Sequence, residues 1–148
     1  MSIRVAEPAD VDAVSSCVQA AYAIYVERIG RPPAPMSADY DALVAAREVW
    51  VACEDETVVG VLVLRPRQNS LILENVAVSP TRQGRGIGRA LIGFAERHAS
   101  ELGLRAVKLY TNERMTENLS LYPALGYVET GRRREAGFSR VFFRKQLD

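Results

Sequence analysis

The stretch Leu71 to Leu91, LILENVAVSPTRQGRGIGRAL, constrains this chain most, because it encodes a strand, a glycine loop and a helix in direct succession. Leu71–Val78 is apolar and rich in β-branched residues, and Ser79-Pro80 ends it as a strand is ended. Ile87, Leu91, Ala95 and Ala99 then recur at helical spacing, so a helix opens inside the glycine run. Gly84, Gly86 and Gly88 alternate with Arg85 and Ile87 at that junction. Glycine bends freely and lets a ligand approach the backbone. The first N–H groups of a helix lack internal partners and sit at the positive end of its dipole. A ligand carrying phosphate or pyrophosphate is expected here.

Spacing separates the motifs that share this physics. A Walker-type loop needs Gly, four residues, then Gly-Lys-Ser/Thr, and no such lysine and hydroxyl follow. The dinucleotide pattern G-x-G-x-x-G, begun at Gly84 or Gly86, requires glycine where Arg89 or Leu91 stands. Gln83-Gly84-Arg85-Gly86-Ile87-Gly88 instead resembles the Q/R-x-x-G-x-G/A signature of the GNAT superfamily of N-acetyltransferases. A flexible turn before an ordinary helix is the plainer reading of the loop taken alone. A second segment, Thr111–Tyr127, is similar to the later part of the same family pattern. There an Asn precedes a short helix carrying Leu-Tyr and closed by Leu-Gly-Phe/Tyr, here Asn118, Leu121-Tyr122 and Leu125-Gly126-Tyr127. Gly126 falls where a helix end favours a left-handed residue. Pro123 departs from the pattern, and predicts a kinked or short helix that affects where the Tyr122 hydroxyl points.

The resemblance runs from about Val49 onward and implies a mixed α/β GNAT fold, with a central β-sheet flanked by helices, binding acetyl-CoA as cosubstrate. It implies that the loop amides of Gln83, Gly84, Arg85, Gly86, Ile87, Gly88 and Arg89 hold pyrophosphate. It further implies that Val76, Ala77 and Val78 bind the pantetheine arm like an added strand, with a side-chain hydrogen bond from Asn118.

Composition is consistent with one compact domain over residues 1–148. The chain is 48% hydrophobic and 25% charged, with a net charge of +1. That balance gives no electrostatic reason to expect nucleic acid or a membrane surface as partner. No run approaches the roughly 18 apolar residues of a spanning helix, and MSIRVAEPAD is not a signal peptide. Cys17 and Cys53 lack metal-ligand spacing and read as reduced core residues of a cytoplasmic protein. His98 reads as structural, and no metal is expected.

Along the chain, Ile3–Ala6 reads as a strand, and Asp10 as the cap of a helix carrying Val11, Val14, Val18 and Ala21. Prolines 32, 33 and 35 make Ile29–Ser37 a loop without regular structure. Asp39–Arg47 predicts a short helix, and Val49–Glu54 with Val58–Leu64 a hairpin around Asp55-Glu56-Thr57. Strand Ala106–Tyr110, the short helix, and strands near Tyr127–Thr130 and Phe138–Lys145 follow, with Arg132-Arg133-Arg134 read as a solvated turn. A second reading has those arginines meeting an acidic acceptor or the cofactor's 3′-phosphate.

Acyl transfer to an amine needs a base for the amine proton, an acid for the leaving thiolate and donors at the developing oxyanion. Tyr122 is the candidate acid, since a phenol keeps its proton at neutral pH. Glu74 is the candidate base, a carboxylate interrupting an apolar strand; a paired carboxylate without catalytic role is the alternative. Glu113 and Glu117 read as solvated. Tyr22, Tyr25, Arg28, Met36 and Tyr40 surround the proline loop. Tyr25 and Arg28 are the candidate acceptor-binding residues, against a reading as helix-face packing with a solvated arginine.

The expected function is acetyl-CoA-dependent N-acetylation of a primary amine on a small molecule or peptide, by direct attack in a ternary complex. The position of both cysteines outside the motifs disfavours an acyl-cysteine route. A CoA-binding sensor without turnover, and acetylation of a protein N-terminus or charged tRNA, stand as alternatives. The oligomeric state stays open, a homodimer being one option.

Overall fold

The computed structural model describes all residues from Met1 to Asp148. Its elements run β1 (Ser2–Val5), α1 (Val11–Ile29), α2 (Tyr40–Ala45), β2 (Val49–Glu54), β3 (Thr57–Arg67) and β4 (Ser70–Val78). Then come α3 (Ile87–Glu101), β5 (Ala106–Asn112), α4 (Thr116–Ala124), β6 (Val128–Glu135) and β7 (Phe138–Gln146). This is the expected order of strands and helices. The strands form one sheet ordered β1-β2-β3-β4-β5-β7-β6, antiparallel throughout except where β4 meets β5.

Each face of the sheet has its own core. On one face α3 buries Leu91, Ile92 and Ala95 against Leu62, Leu71, Val107 and Phe143 of β3, β4, β5 and β7. On the other, Val14, Cys17, Val18 and Ala21 of α1 pack with Val51, Val61 and Ala77. A fully buried Leu or Ile of this kind contributes about 1.5–3 kcal/mol relative to exposure. The α1-side core draws on β2, β3 and β4 and includes nothing from β5, β6 or β7.

A single extra residue in β4 shapes the centre of the molecule. Val63 pairs with Asn75 and Leu64 with Leu73, which leaves Glu74 without an opposite number on β3. Such a bulge bends its strand and interrupts the period of two. Leu71 and Leu73 accordingly face the α3 core, whereas Ala77 faces the α1 core. The parallel ladder between β4 and β5 runs from Ser70↔Ala106 to Leu73↔Leu109 and stops at the bulge. Beyond it the two strands separate, and a wedge opens between them.

Local chemistry explains most element ends. Asp55 and Glu56, both at positive φ, make the tight turn expected between β2 and β3. Asp39 caps α2 by accepting from the Ala42 N–H at 3.1 Å. The α4 terminus is a Schellman closure: Gly126 has φ of +94°, its N–H bonds the Pro123 carbonyl, and the Tyr127 N–H bonds the Tyr122 carbonyl at 3.0 Å. Pro123 lies one residue from the helix end, so it shortens α4 rather than breaking it.

Four expectations are corrected. Asp10 makes no side-chain cap to α1; its carboxylate accepts from the Glu7 N–H and pairs with Arg4, closing the short 3-10 turn before the helix. The proline loop contains a 3-10 turn at Ala34–Ser37, where fixed proline φ angles suit a helical first turn. Arg132-Arg133-Arg134 lies within β6, and the turn falls instead at Ala136–Gly137, both at positive φ. Finally, β5 continues past Tyr110 to Asn112, held by β7.

Gly60 lies where β3 packs tightly against α3. A Cβ there would sit 3.0 Å from Leu91 Cδ1 and 3.3 Å from both Ala52 Cβ and Ile87 Cγ2. Gly60→Val is therefore expected to destabilise the protein by about 1–3 kcal/mol through overpacking. Urea unfolding checks this; an unchanged midpoint would show that α3 shifts freely.

Candidate active site

The wedge between β4 and β5 widens into a cavity of about 480 Å³. Its floor is the bulged half of β4, one end is the glycine loop, and the other lies beneath α4 and the β6–β7 hairpin.

The loop end is rich in free donors. Gly84 and Gly86 have φ of +81° and +82°, which an L side chain adopts only with strain. A Cβ at either would meet nothing within 4 Å, so conformation rather than crowding calls for glycine. The N–H groups of Gln83, Gly84, Arg85 and Gly86 donate to no backbone carbonyl. Those of Ile87, Gly88 and Arg89 open α3, where no preceding turn offers an acceptor. Gln83 and Arg89 border the cavity, whereas the Arg85 side chain does not. Together the loop amides form a concave donor surface suited to phosphate oxygens.

On the floor, the carbonyls of Val76 and Val78 turn away from β3. The first accepts from the Tyr22 hydroxyl at 3.0 Å, the second from the Gln83 side-chain amide at 3.2 Å. Because a strand residue's N–H and C=O point to one side, the Val76 and Val78 N–H groups also face the wedge. Ala77 between them is buried in the α1-side core. From α4, Asn118 Nδ2 donates to Thr111 Oγ1 at 3.0 Å, which fixes the amide at the cavity wall.

Tyr122 sits under the cavity with its ring packed 5.7 Å from Tyr127 and 5.8 Å from Phe143. Burial pushes its phenol up to about 12, so it remains protonated across the neutral range. Its hydroxyl bonds to no protein group, and the sealed side-chain atom without a hydrogen bond is Arg65 Nε, 3.5 Å from Glu48 Oε1. The Tyr122 hydroxyl is therefore open to the cavity. Glu74, the bulged residue, also reaches the cavity, and its Oε2 lies 3.6 Å from Arg65 Nη1. That pair is about one-third exposed on each side, leaving the carboxylate accessible.

Asn75 belongs to neither sequence motif, yet it organises this region. It is buried, its Oδ1 accepts from the Tyr22 hydroxyl at 2.5 Å, and its Nδ2 donates to the Tyr40 hydroxyl at 3.1 Å. Tyr40 in turn donates to the Pro35 carbonyl at 2.6 Å. The chain of bonds ties α1, α2 and the proline loop to β4. A lone amide inside an apolar strand was the available signal, since a buried amide requires partners.

At the far end, Tyr25 borders the cavity but Arg28 does not. Glu117, expected as solvated, accepts from Arg28 Nη1 at 2.5 Å and from the Tyr25 hydroxyl at 3.3 Å. The Arg28 hydrogen bond holds the Glu117 carboxyl down at about 2. Arg31 continues the same seam, stacking on Phe138 at 3.9 Å and donating to the Ala136 carbonyl. Thus the end of α1 is stitched to α4 and to the hairpin. Away from the cavity, His98 packs against Trp50 and Phe94 as a structural residue. The Cys17 thiol is pushed up to about 11 by burial, far from a ready nucleophile.

The model of the acetyltransferase (GNAT) family matches residues 16–127. The chain belongs to the GNAT family. It is similar to a Xenopus tropicalis protein named probable N-acetyltransferase 14, 32% identical over 70% of this chain and 52% of that protein. A mycothiol acetyltransferase from Pseudarthrobacter chlorophenolicus is 44% identical over 36% of this chain and 16% of its own length. The chain thus spans about half of the first relative and a small part of the second. In fold it is similar to PaiA N-acetyltransferase from Thermoplasma acidophilum, solved with coenzyme A. The TM-score is 0.82 at 17% identity, covering 99% of this chain and 98% of that one. The Escherichia coli ribosomal-protein-S18-alanine N-acetyltransferase has a TM-score of 0.78 at 18% identity, covering 99% and 93%. No helix of this GNAT chain is long and apolar enough to cross a membrane.

Proposed function

We propose that this GNAT chain transfers the acetyl group of acetyl-CoA to a primary amine by direct attack in a ternary complex. One observation carries the reading: a single wedge joins a row of unbonded loop amides to a protonated, unbonded tyrosine hydroxyl. The loop amides from Gln83 to Arg89 receive the pyrophosphate, and the wedge-facing groups of Val76 and Val78 pair with the amide-bearing arm as a strand would. Asn118 contributes a further polar contact to that arm. Bound acetyl-CoA supplies the thioester carbonyl to be attacked. Glu74 accepts the amine proton directly or through water, and Tyr122 gives its proton to the sulfur as the C–S bond breaks. Tyr25 walls the acceptor end, with Arg28 acting through Glu117 to position that wall.

Acetyl-CoA at a hundredfold excess over its Kd is expected to stabilise the protein by about 2.7 kcal/mol, a rise of roughly 5–10 °C in Tm. ATP and NAD, lacking the arm, are expected to give much less. Gly86→Val strains a left-handed position and puts a side chain where the phosphates lie, so the shift from acetyl-CoA should largely vanish. Equal shifts from ATP and acetyl-CoA would overturn the cofactor assignment. No CoA release with any amine, despite the shift, would favour the sensor.

A further inference from the structure

The α1-side core ends at β4, so one face of β5, β7 and β6 carries no helix. Cross-strand register places Lys108 opposite Arg144 and Tyr110 opposite Phe142 on that face, with Arg133 opposite Arg140 beyond them. The contacts agree with the register. Tyr110 and Phe142 lie 5.7 Å apart, Arg140 stacks over Tyr110 at 4.3 Å, and Arg133 over Phe142 at 3.9 Å. On this face Arg133 and Arg140 pair with Glu135, Arg31 stacks on Phe138, and Glu74 lies toward Tyr110 at the cavity end, whereas Lys108 and Arg144 make no ion pair. Lys108 and Arg144 sit directly across from each other, an arrangement that is repulsive until an anion comes between them. Tyr110 and Arg140 also line the cavity, so the basic face continues from the acceptor end without a break.

We infer that the acceptor amine belongs to an acidic polypeptide segment, which runs from the cavity mouth beside Arg140 across this face with its carboxylates on Lys108 and Arg144. The inference rests on the acetyltransferase reading and narrows its substrate class. Charge complementarity selects an acidic occupant, since Lys108 and Arg144 face each other with no carboxylate between them. Size selects a peptide over a nucleic acid. Arg140 to Arg144 spans about 13–14 Å, the length of four extended residues, whereas nucleic-acid surfaces engage longer runs of phosphates with a strongly basic domain. The chain's net charge is only +1.

The test uses the full chain saturated with CoA and a labelled peptide having a free amino terminus followed by four Asp or Glu residues. Fluorescence anisotropy at low ionic strength compares it with the Asn/Gln counterpart. The acidic peptide is expected to bind about tenfold tighter or better, with the difference shrinking as salt rises. The double substitution Lys108→Glu with Arg144→Glu should erase the preference while Tm and acetyl-CoA stabilisation hold. Equal binding of the two peptides, or a preference that survives the double substitution, overturns the inference. So does tighter binding of a single-stranded oligonucleotide with the same sensitivity. A concentration-dependent dimer lost on the same substitutions, with no peptide binding, would assign the face to a second copy instead. Because binding is read without turnover, failure of the peptide to bind selectively overturns the docking surface alone, while absence of CoA release with any amine counts against the transferase reading alone.

Discussion

Tyr122→Phe is expected to lower turnover roughly 10- to 10⁴-fold while leaving acetyl-CoA affinity nearly unchanged. The substitution removes one oxygen and keeps the ring that packs against Tyr127 and Phe143. That oxygen makes no hydrogen bond to protein, so the fold does not depend on it. An activity loss without loss of Tm or cofactor binding therefore isolates proton donation. Water within the cavity can substitute in part, which sets the lower end of the range. Single-turnover kinetics are the appropriate readout, because slow product release would mask the chemical step. Unchanged single-turnover rates would remove Tyr122 from the mechanism.

Glu74→Gln should produce a loss of roughly 10²- to 10⁴-fold at low pH and a smaller one at high pH. The amide keeps the size of the side chain but accepts no proton. In the parent protein, kcat/KM should rise with pH and then level off once the amine arrives deprotonated. In the variant the rise should continue to higher pH, since only the free amine can react. A loss of the same size at every pH would instead assign Glu74 to positioning, through Arg65 and the bulge it forms. The two variants together separate acid from base, because Tyr122→Phe should not shift the ascending limb of the profile.

The glycine loop and the closure of α4 are legible in the sequence because they depend on local chemistry. Glycines at positive φ, a helix start, and a helix end closed at Gly126 are all decided within a few residues. The bulge was not legible. Leu71-Ile72-Leu73 and Val76-Ala77-Val78 are apolar on both faces, so no alternation existed for the extra residue to interrupt. Glu74 stands out in the sequence as a charge in an apolar strand, but its geometric role depends on register with β3. The same holds for Asn75 and Glu117, whose partners Tyr22, Tyr40, Tyr25 and Arg28 lie far away in the chain. The arginine triplet misled because three adjacent charges after a glycine look like a turn. Two of them pair with Glu129 and Glu135 on the strand itself, and the true turn is set by Gly137.

A strand that leaves its neighbour halfway has an unpaired edge inside the protein. Exposed edges invite pairing with other chains, and proteins ordinarily blunt them with charge or cover. Here the outer edge strand, β6, carries its three arginines, while the inner edge at Val76 and Val78 carries none. The ladder closes at Leu73 and Leu109, so the positions left free beyond it line a cavity instead of forming an outer margin of the sheet. The same backbone groups that would template a foreign strand on an outer edge are thereby turned inward, toward the space between β4 and β5.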